Sequence, residues 1–181
     1  MFLTNLKDNA VINFSDTDFD GNYEPNSTFI PADDVMYELT IIHNNETYKG
    51  KTAKVKSTVI DNIRQGDGKL FLGDEIELKT TFTDKSTEEN YYLFHYNFNN
   101  FVTIEDEYIN GSQYNFSYYI DMDDLELPYT LPVKLCGITK EYFTYFRILQ
   151  NQSGQNGGEP FQPVPSSLSG NMINITNETN F

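Results

Sequence analysis

DEIELKTTFTDKSTEENYYLFHYNF, residues 74–98, sets the fold class. In its first half Ile76, Leu78, Thr80 and Phe82 fall on one side of an extended chain, and Glu75, Glu77, Lys79 and Thr81 fall on the other. A period of two with one apolar and one polar side is a β-strand with one wet face. In the second half Tyr92, Phe94, Tyr96 and Phe98 repeat the pattern with aromatic rings, and His95 lies opposite them.

The same alternation recurs on both sides of this stretch. In MYELTIIHNNETYKG, residues 36–50, Tyr37, Leu39 and Ile41 share a face, and Asn44-Asn45 then reverses the chain toward Tyr48. Asparagine tolerates the positive φ of a tight turn, so this segment is a hairpin. Downstream, SQYNFSYYI aligns Tyr114, Phe116, Tyr118 and Ile120, and YTLPVKLCGI aligns Tyr129, Leu131, Val133 and Leu135. Pro132 cannot donate to a ladder, which places it at an edge or a bulge. Short strands separated by Asn, Gly and Asp turns predict a mainly β chain of sandwich or barrel type.

One segment breaks the pattern. TKEYFTYFRILQNQ predicts a short helix near residues 139–151, with Thr139 as N-cap, Glu141 in the first turn, and Tyr142, Phe146 and Leu149 at helical spacing. The stretch after it, NQSGQNGGEPFQPVPSS, is too rich in Gly, Gln, Asn and Pro to be anything but a loop. Upstream, Lys49, Lys51, Lys54, Lys56 and Lys69 interrupt an acidic chain. We place a boundary there, between an N-terminal β unit at 1–55 and a longer unit with the helix at 56–181.

Bulk composition narrows the function classes. Apolar residues make up 38% of 181, and 14 Phe with 13 Tyr must supply much of the burial. Twenty-seven acidic against 12 basic residues give a net charge of −15, which repels phosphate backbones and anionic membrane surfaces. Nucleic acid is therefore excluded as a partner. Cys136 is the only cysteine, so no intrachain disulfide forms; its apolar run predicts a buried, inert thiol. No run reaches the roughly 18 apolar residues of a membrane span. MFLTNLKDNAV lacks the basic and apolar regions of a signal peptide.

The constellations that could carry chemistry are few. Asp16, Asp18, Asp20 and Gly21 in DTDFDGN reproduce the first half of a calcium loop, in which alternate carboxylates surround a hard cation. The twelfth position, which should be a bidentate Glu, is Ser27, and Pro25 interrupts the segment; an acidic turn is the simpler reading. Glu105, Asp106 and Glu107, and then Asp121, Asp123, Asp124 and Glu126, read as charged loop tips rather than as the paired acid and base of a hydrolase. His43 and His95 have no second ligand at zinc spacing, and Cys136 has no neighbouring base. The expectation is no catalytic residue, no metal and no cofactor, with calcium at Asp16/Asp18/Asp20 as the alternative.

Several segments together resemble a family. MYELTIIHNNETYKGKT, TVIDNI, FTDKSTEENYYLF, EDEYINGSQYNF, the helix, and EPFQPVPSSLSGNMIN stand in the order found in the Bacteroidetes cell-envelope family called domain of unknown function 4249. The most specific pieces are D-x-x-x-x-E-N-Y-Y (Asp84 to Tyr92) and P-F-x-x-P (Pro160 to Pro163). The resemblance implies an immunoglobulin-like first unit, a larger second β unit, and a secreted lipoprotein associated with outer-membrane nutrient uptake. It carries no catalytic residue.

Its pattern begins before Met1 and continues past Phe181, so the chain is expected to be part of a longer envelope protein. Only AVINF and the hairpin near 36–49 read as strands in the first unit, which points the same way. Three roles follow as expectations. The first is a non-catalytic binding or accessory module with a protein or glycan partner, held at the membrane only through a lipid outside this chain. The others are a carboxylate-dependent hydrolase and a calcium-stabilised adhesion-type domain.

Overall fold

A computed structural model describes residues 1–70, 73–96, 100–121, 130–153 and 167–177. Within them the alternating segments are strands: β1 (Phe2–Asn5), β2 (Val11–Ser15), β3 (Glu24–Pro25), β4 (Met36–His43), β5 (Glu46–Ala53), β6 (Ile60–Gln65), β7 (Glu75–Thr83), β8 (Tyr91–Tyr96), β9 (Phe101–Glu105), β10 (Gln113–Asp121), β11 (Val133–Ile138) and β12 (Ile173–Asn174). The one described helix is α1 (Lys140–Gln152). The fold is mainly β, with three antiparallel sheets.

The chain divides into two compact units, one formed by Met1–Val55 with Thr144–Phe181 and the other by Lys56–Phe143. The break after Val55 lies in the lysine-rich stretch. The expected continuous unit 56–181 differs from this division in its last part, because β12 pairs with β5 through Ile173↔Lys49 and Asn174↔Tyr48.

The first unit is a six-stranded sheet in the order β12-β5-β4-β1-β2-β3. Its centre is the hairpin β4–β5, whose turn residues Asn44 and Asn45 both take positive φ (49° and 64°), as that tight reversal requires. The expectation of only two strand-bearing segments here is corrected. MFLTN supplies β1, which lies between β4 and β2 with Leu3 opposite both Leu39 and Ile12. A four-residue strand carries too few alternations to stand out in a sequence.

In the second unit two three-stranded sheets, β10-β7-β6 and β11-β8-β9, pack through one aromatic core. Phe82, Phe94 and Tyr96 are fully buried and Tyr92 almost so. Phe82 of β7 meets Tyr92 and Phe94 of β8 at ring separations of 5.2 and 5.4 Å, and Phe94 meets Phe116 of β10 at 5.2 Å. Tyr96 stacks on Tyr118 at 4.4 Å, and its hydroxyl shares a hydrogen bond with Thr80 at 2.9 Å. The faces expected from the alternation are the ones that meet; Phe98 and Tyr129 lie outside the described residues.

Two expectations change on contact with this packing. Cys136 is exposed rather than buried, because the inward face of edge strand β11 is the Leu131, Val133 and Leu135 side. The helix begins as expected, with Thr139 Oγ1 accepting from Tyr142 N–H at 3.2 Å, but its buried positions are Phe143 and Gln150. Tyr142 and Leu149 are exposed. Phe143 packs on Tyr91 at 5.0 Å, which turns the helix by about one residue from the stripe the spacing predicts. The Gly- and Pro-rich stretch after α1 lies largely outside the described residues.

Phe94→Ala opens a cavity where three rings meet and is expected to cost about 3–5 kcal/mol in urea denaturation, without a change of fold by circular dichroism.

Candidate functional site

The acidic motif sits at the tip of a hairpin. Pairing of Phe14 with Pro25 and of Ser15 with Glu24 closes β2 on β3 and leaves residues 16–23 as the loop. Asp16 Oδ2 accepts from Gly21 N–H at 3.1 Å, and Asp20 accepts from Asn22 through both backbone and side-chain N–H groups at 2.7 Å. The Asn22 donors hold the Asp20 carboxyl below its ordinary value. One oxygen each from Asp16, Asp18 and Asp20 lies within 4.8 Å of the others.

The structure therefore brings together the three residues that the motif singled out. Three carboxylates this close repel one another, and Asp16 Oδ1 is shielded from water with no hydrogen-bond partner. Oxygen ligands in this arrangement suit a hard cation such as calcium.

The same loop carries apolar surface into solvent. Phe19 is 90% exposed and holds positive φ (62°), a conformation rare for a bulky residue. Tyr23 and Ile30, further along the β2–β4 connection, are also exposed.

In the second unit the buried carboxylates Asp84 and Asp106, with the exposed Glu89, play a different role. Asp84 accepts from the Tyr92 hydroxyl at 2.5 Å and from Gly111 N–H at 2.8 Å. Asp106 accepts from Asn90 N–H at 2.9 Å and returns its own N–H to the Asn90 carbonyl. Glu89 takes the Tyr91 hydroxyl and Lys140 Nζ, the latter at 3.0 Å. The D-x-x-x-x-E-N-Y-Y motif is thus a clamp that ties the β7–β8 loop to the β9–β10 loop and to the start of α1. Gly111 is required there, since it holds φ +70° and a Cβ would lie 2.5 Å from Ser86 Cβ.

Two expectations about acidic residues are corrected by this arrangement. Asp106 is buried, not a charged loop tip. The first half of the polar face of β7 is also covered: Glu75 and Glu77 are buried, while Lys79 and Thr81 further along are not. Glu75 accepts from Leu70 and Gly73 N–H, and Glu77 from the Ser117 hydroxyl at 2.5 Å and Gly68 N–H at 2.7 Å. Those donors, with Lys79 at 3.4 Å, hold Glu77 below its ordinary value. The signal was present in Gly66-x-Gly68, where any Cβ would strike the Glu77 carboxylate.

Of the second acidic group, Asp121 ends β10, and Asp123, Asp124 and Glu126 lie outside the described residues. His95 stacks on Phe101 at 4.5 Å, and His43 closes β4. A cavity of about 300 Å³ on the β10-β7-β6 sheet is lined by Arg64, Lys79, Thr80, Thr81, Asn115, Phe116 and Ser117, with no carboxylate among the described lining residues.

A family model described as a domain of unknown function (DUF4249) matches residues 4–180. No curated protein and no solved structure matches.

The Tyr92–Asp84 bond ends on a charged, buried acceptor, so Tyr92→Phe is expected to cost about 1.5–3 kcal/mol in urea denaturation. Burial first, and the Asp84 carboxylate second, push the Tyr92 hydroxyl well above its ordinary value of 10.0. Burial pushes Tyr96 up to about 12. A raised value means that the stabilisation is complete below the unfolded value and is lost as pH climbs through the folded one. The melting temperature should therefore fall above pH 10, and less steeply in Tyr92→Phe.

Proposed function

The chain belongs to the family described as Domain of unknown function (DUF4249), and from that premise we propose that it is a non-catalytic binding module of the cell envelope. Its partner is a protein or glycan, and it serves as an accessory to nutrient uptake at the outer membrane. The observation that carries the binding role is Phe19. A large apolar ring held in left-handed backbone and left almost wholly in water gains the fold no packing. A ring exposed in this way is available to a partner, and Tyr23 and Ile30 in the same β2–β4 connection are exposed too.

The hydrolase alternative needs two carboxylates about 5–10 Å apart across a cleft. Asp84, Asp106, Glu75 and Glu77 are instead engaged with backbone and hydroxyl donors inside the fold. The envelope setting rests on the family resemblance and agrees with a charge of −15, which disfavours nucleic-acid partners.

Phe19→Ala/Tyr23→Ala should leave the melting temperature unchanged and weaken co-sedimentation with outer-membrane vesicles by at least about tenfold, roughly 1.4 kcal/mol. Protease treatment of the vesicles abolishes binding if the partner is a protein, and periodate does so if it is a glycan. Equal sedimentation of both forms contradicts the assignment to this loop.

Convergence of Asp16, Asp18 and Asp20 favours a second reading, a calcium-stabilised loop. With affinity in the millimolar range of extracellular modules, about 10 mM calcium adds on the order of 1 kcal/mol. Scanning calorimetry should then show a melting temperature raised by about 2–4 °C. Asp18→Asn should remove the rise, whereas an unchanged transition in the wild type returns the loop to an acidic turn.

A further inference from the structure

We propose that the polar face of the β10-β7-β6 sheet binds a small monoanionic carboxylate ligand. Three strands set two rows across this face: Arg64 opposite Lys79 opposite Ser117, and Asn62 opposite Thr81 opposite Asn115. Adjacent strands lie about 5 Å apart and same-face neighbours about 7 Å apart, so the two rows frame a patch the size of one small molecule. A cavity of about 300 Å³ lies over it, at the lower end of the range for small-ligand sites.

The charges are placed against the grain of the protein. In a chain of net charge −15, Arg64 and Lys79 stand directly opposite each other on neighbouring strands, an arrangement that destabilises a sheet. Lys79 is offset by Glu77 at 3.4 Å and Asp67 at 3.6 Å. Glu77 is already committed to Ser117 and Gly68. Arg64, one of two arginines in the chain, has no carboxylate partner among the described residues and is exposed at the mouth of the cavity. An anion seated between the two cations removes the repulsion.

The neighbouring groups select the class of anion. A guanidinium presents a planar fork that matches a carboxylate through two parallel hydrogen bonds. Thr81 Oγ1 donates to Asn115 Oδ1 at 2.5 Å, which leaves the NH2 end of Asn115 as a further donor. The Ser117 and Thr81 oxygens retain lone pairs for a ligand hydroxyl or amide N–H. Glu77 and Asp67, close behind Lys79, disfavour a dianion, so a carboxylate fits better than a phosphate. A sugar acid and a peptide C-terminus both present this chemistry.

The test is a ¹H–¹⁵N titration of the whole chain at constant ionic strength, with sodium glucuronate in one arm and acetyl-alanyl-alanine in the other. Glucose, sodium chloride and inorganic phosphate are the controls. We expect saturable shifts at Arg64, Lys79, Asn115 and Ser117 with a Kd of about 1–10 mM, and the tighter arm identifies the source of the carboxylate. Arg64→Gln should weaken binding at least about tenfold with the rest of the spectrum unchanged. If that variant disturbs the sheet, Asn115→Ala at an exposed position makes the same test. No saturable shift in either arm, shifts reproduced by chloride, tighter binding of phosphate, or equal affinity in the variant overturns the proposal.

Discussion

A carboxylate with little access to water sits at the join between core and loops in the second unit. Asp84 follows directly on the last residue of β7 and receives the Tyr92 hydroxyl on one oxygen and the Gly111 backbone on the other. A buried charge is tolerated only when its lone pairs are filled, so both donors must be in place before the fold is complete. Tyr92 can reach Asp84 only if its ring lies in the aromatic layer against Phe82. Gly111 can reach it only if the β9–β10 loop turns through positive φ against Ser86. One ion thus couples the register of β8, the path of two loops and the packing of the sandwich. The Asn90–Asp106 exchange repeats the device one strand away.

Much of this fold was legible in the sequence because aromatic alternation is a strong signal. Tyr92, Phe94 and Tyr96 mark the face of β8 that enters the aromatic core, although Tyr91 and Leu93 on its other face are buried as well. The Asn44-Asn45 turn was equally plain, since few other pairs accept two positive φ values. Edges and covers were harder to read. Periodicity shows that Glu75 and Glu77 share a polar face, but not that a glycine-bearing connection folds over them and supplies their donors. For the same reason Asp106 looked like surface charge. The short strand β1 is held on one side by β4, more than 30 residues away, and the two-residue strand β12 by β5, more than 120 away, and no local window contains those partners.

The candidate sites divide along the same line. Asp16, Asp18 and Asp20 were visible because they are neighbours in sequence, and the structure adds that their oxygens converge. Phe19 was invisible as a functional residue, since an aromatic among aspartates reads as an ordinary turn until its exposure and backbone are known. The Arg64–Lys79 pairing could not be found without the register of β6 on β7, which a bulge between Ile60 and Asn62 shifts. Charge seen one residue at a time does not reveal charge opposed across a ladder.

The pairing of β12 with β5 also sets a timetable. Asn171 bonds to the Lys51 carbonyl across 120 residues of chain, and Ile175 N–H reaches the Thr47 carbonyl nearby. At a synthesis rate of about 5–20 residues per second, the outer edge of β5 waits roughly 6–24 s for its neighbour. Through that interval the hairpin β4–β5 presents an open row of backbone donors and acceptors, which other chains can pair with. Closing so long a loop is slow relative to forming the hairpin itself. Lys49 and Lys51, which lean their charge on Glu38 along that exposed strand, are the sort of residue that keeps an unfinished edge soluble while the chain waits.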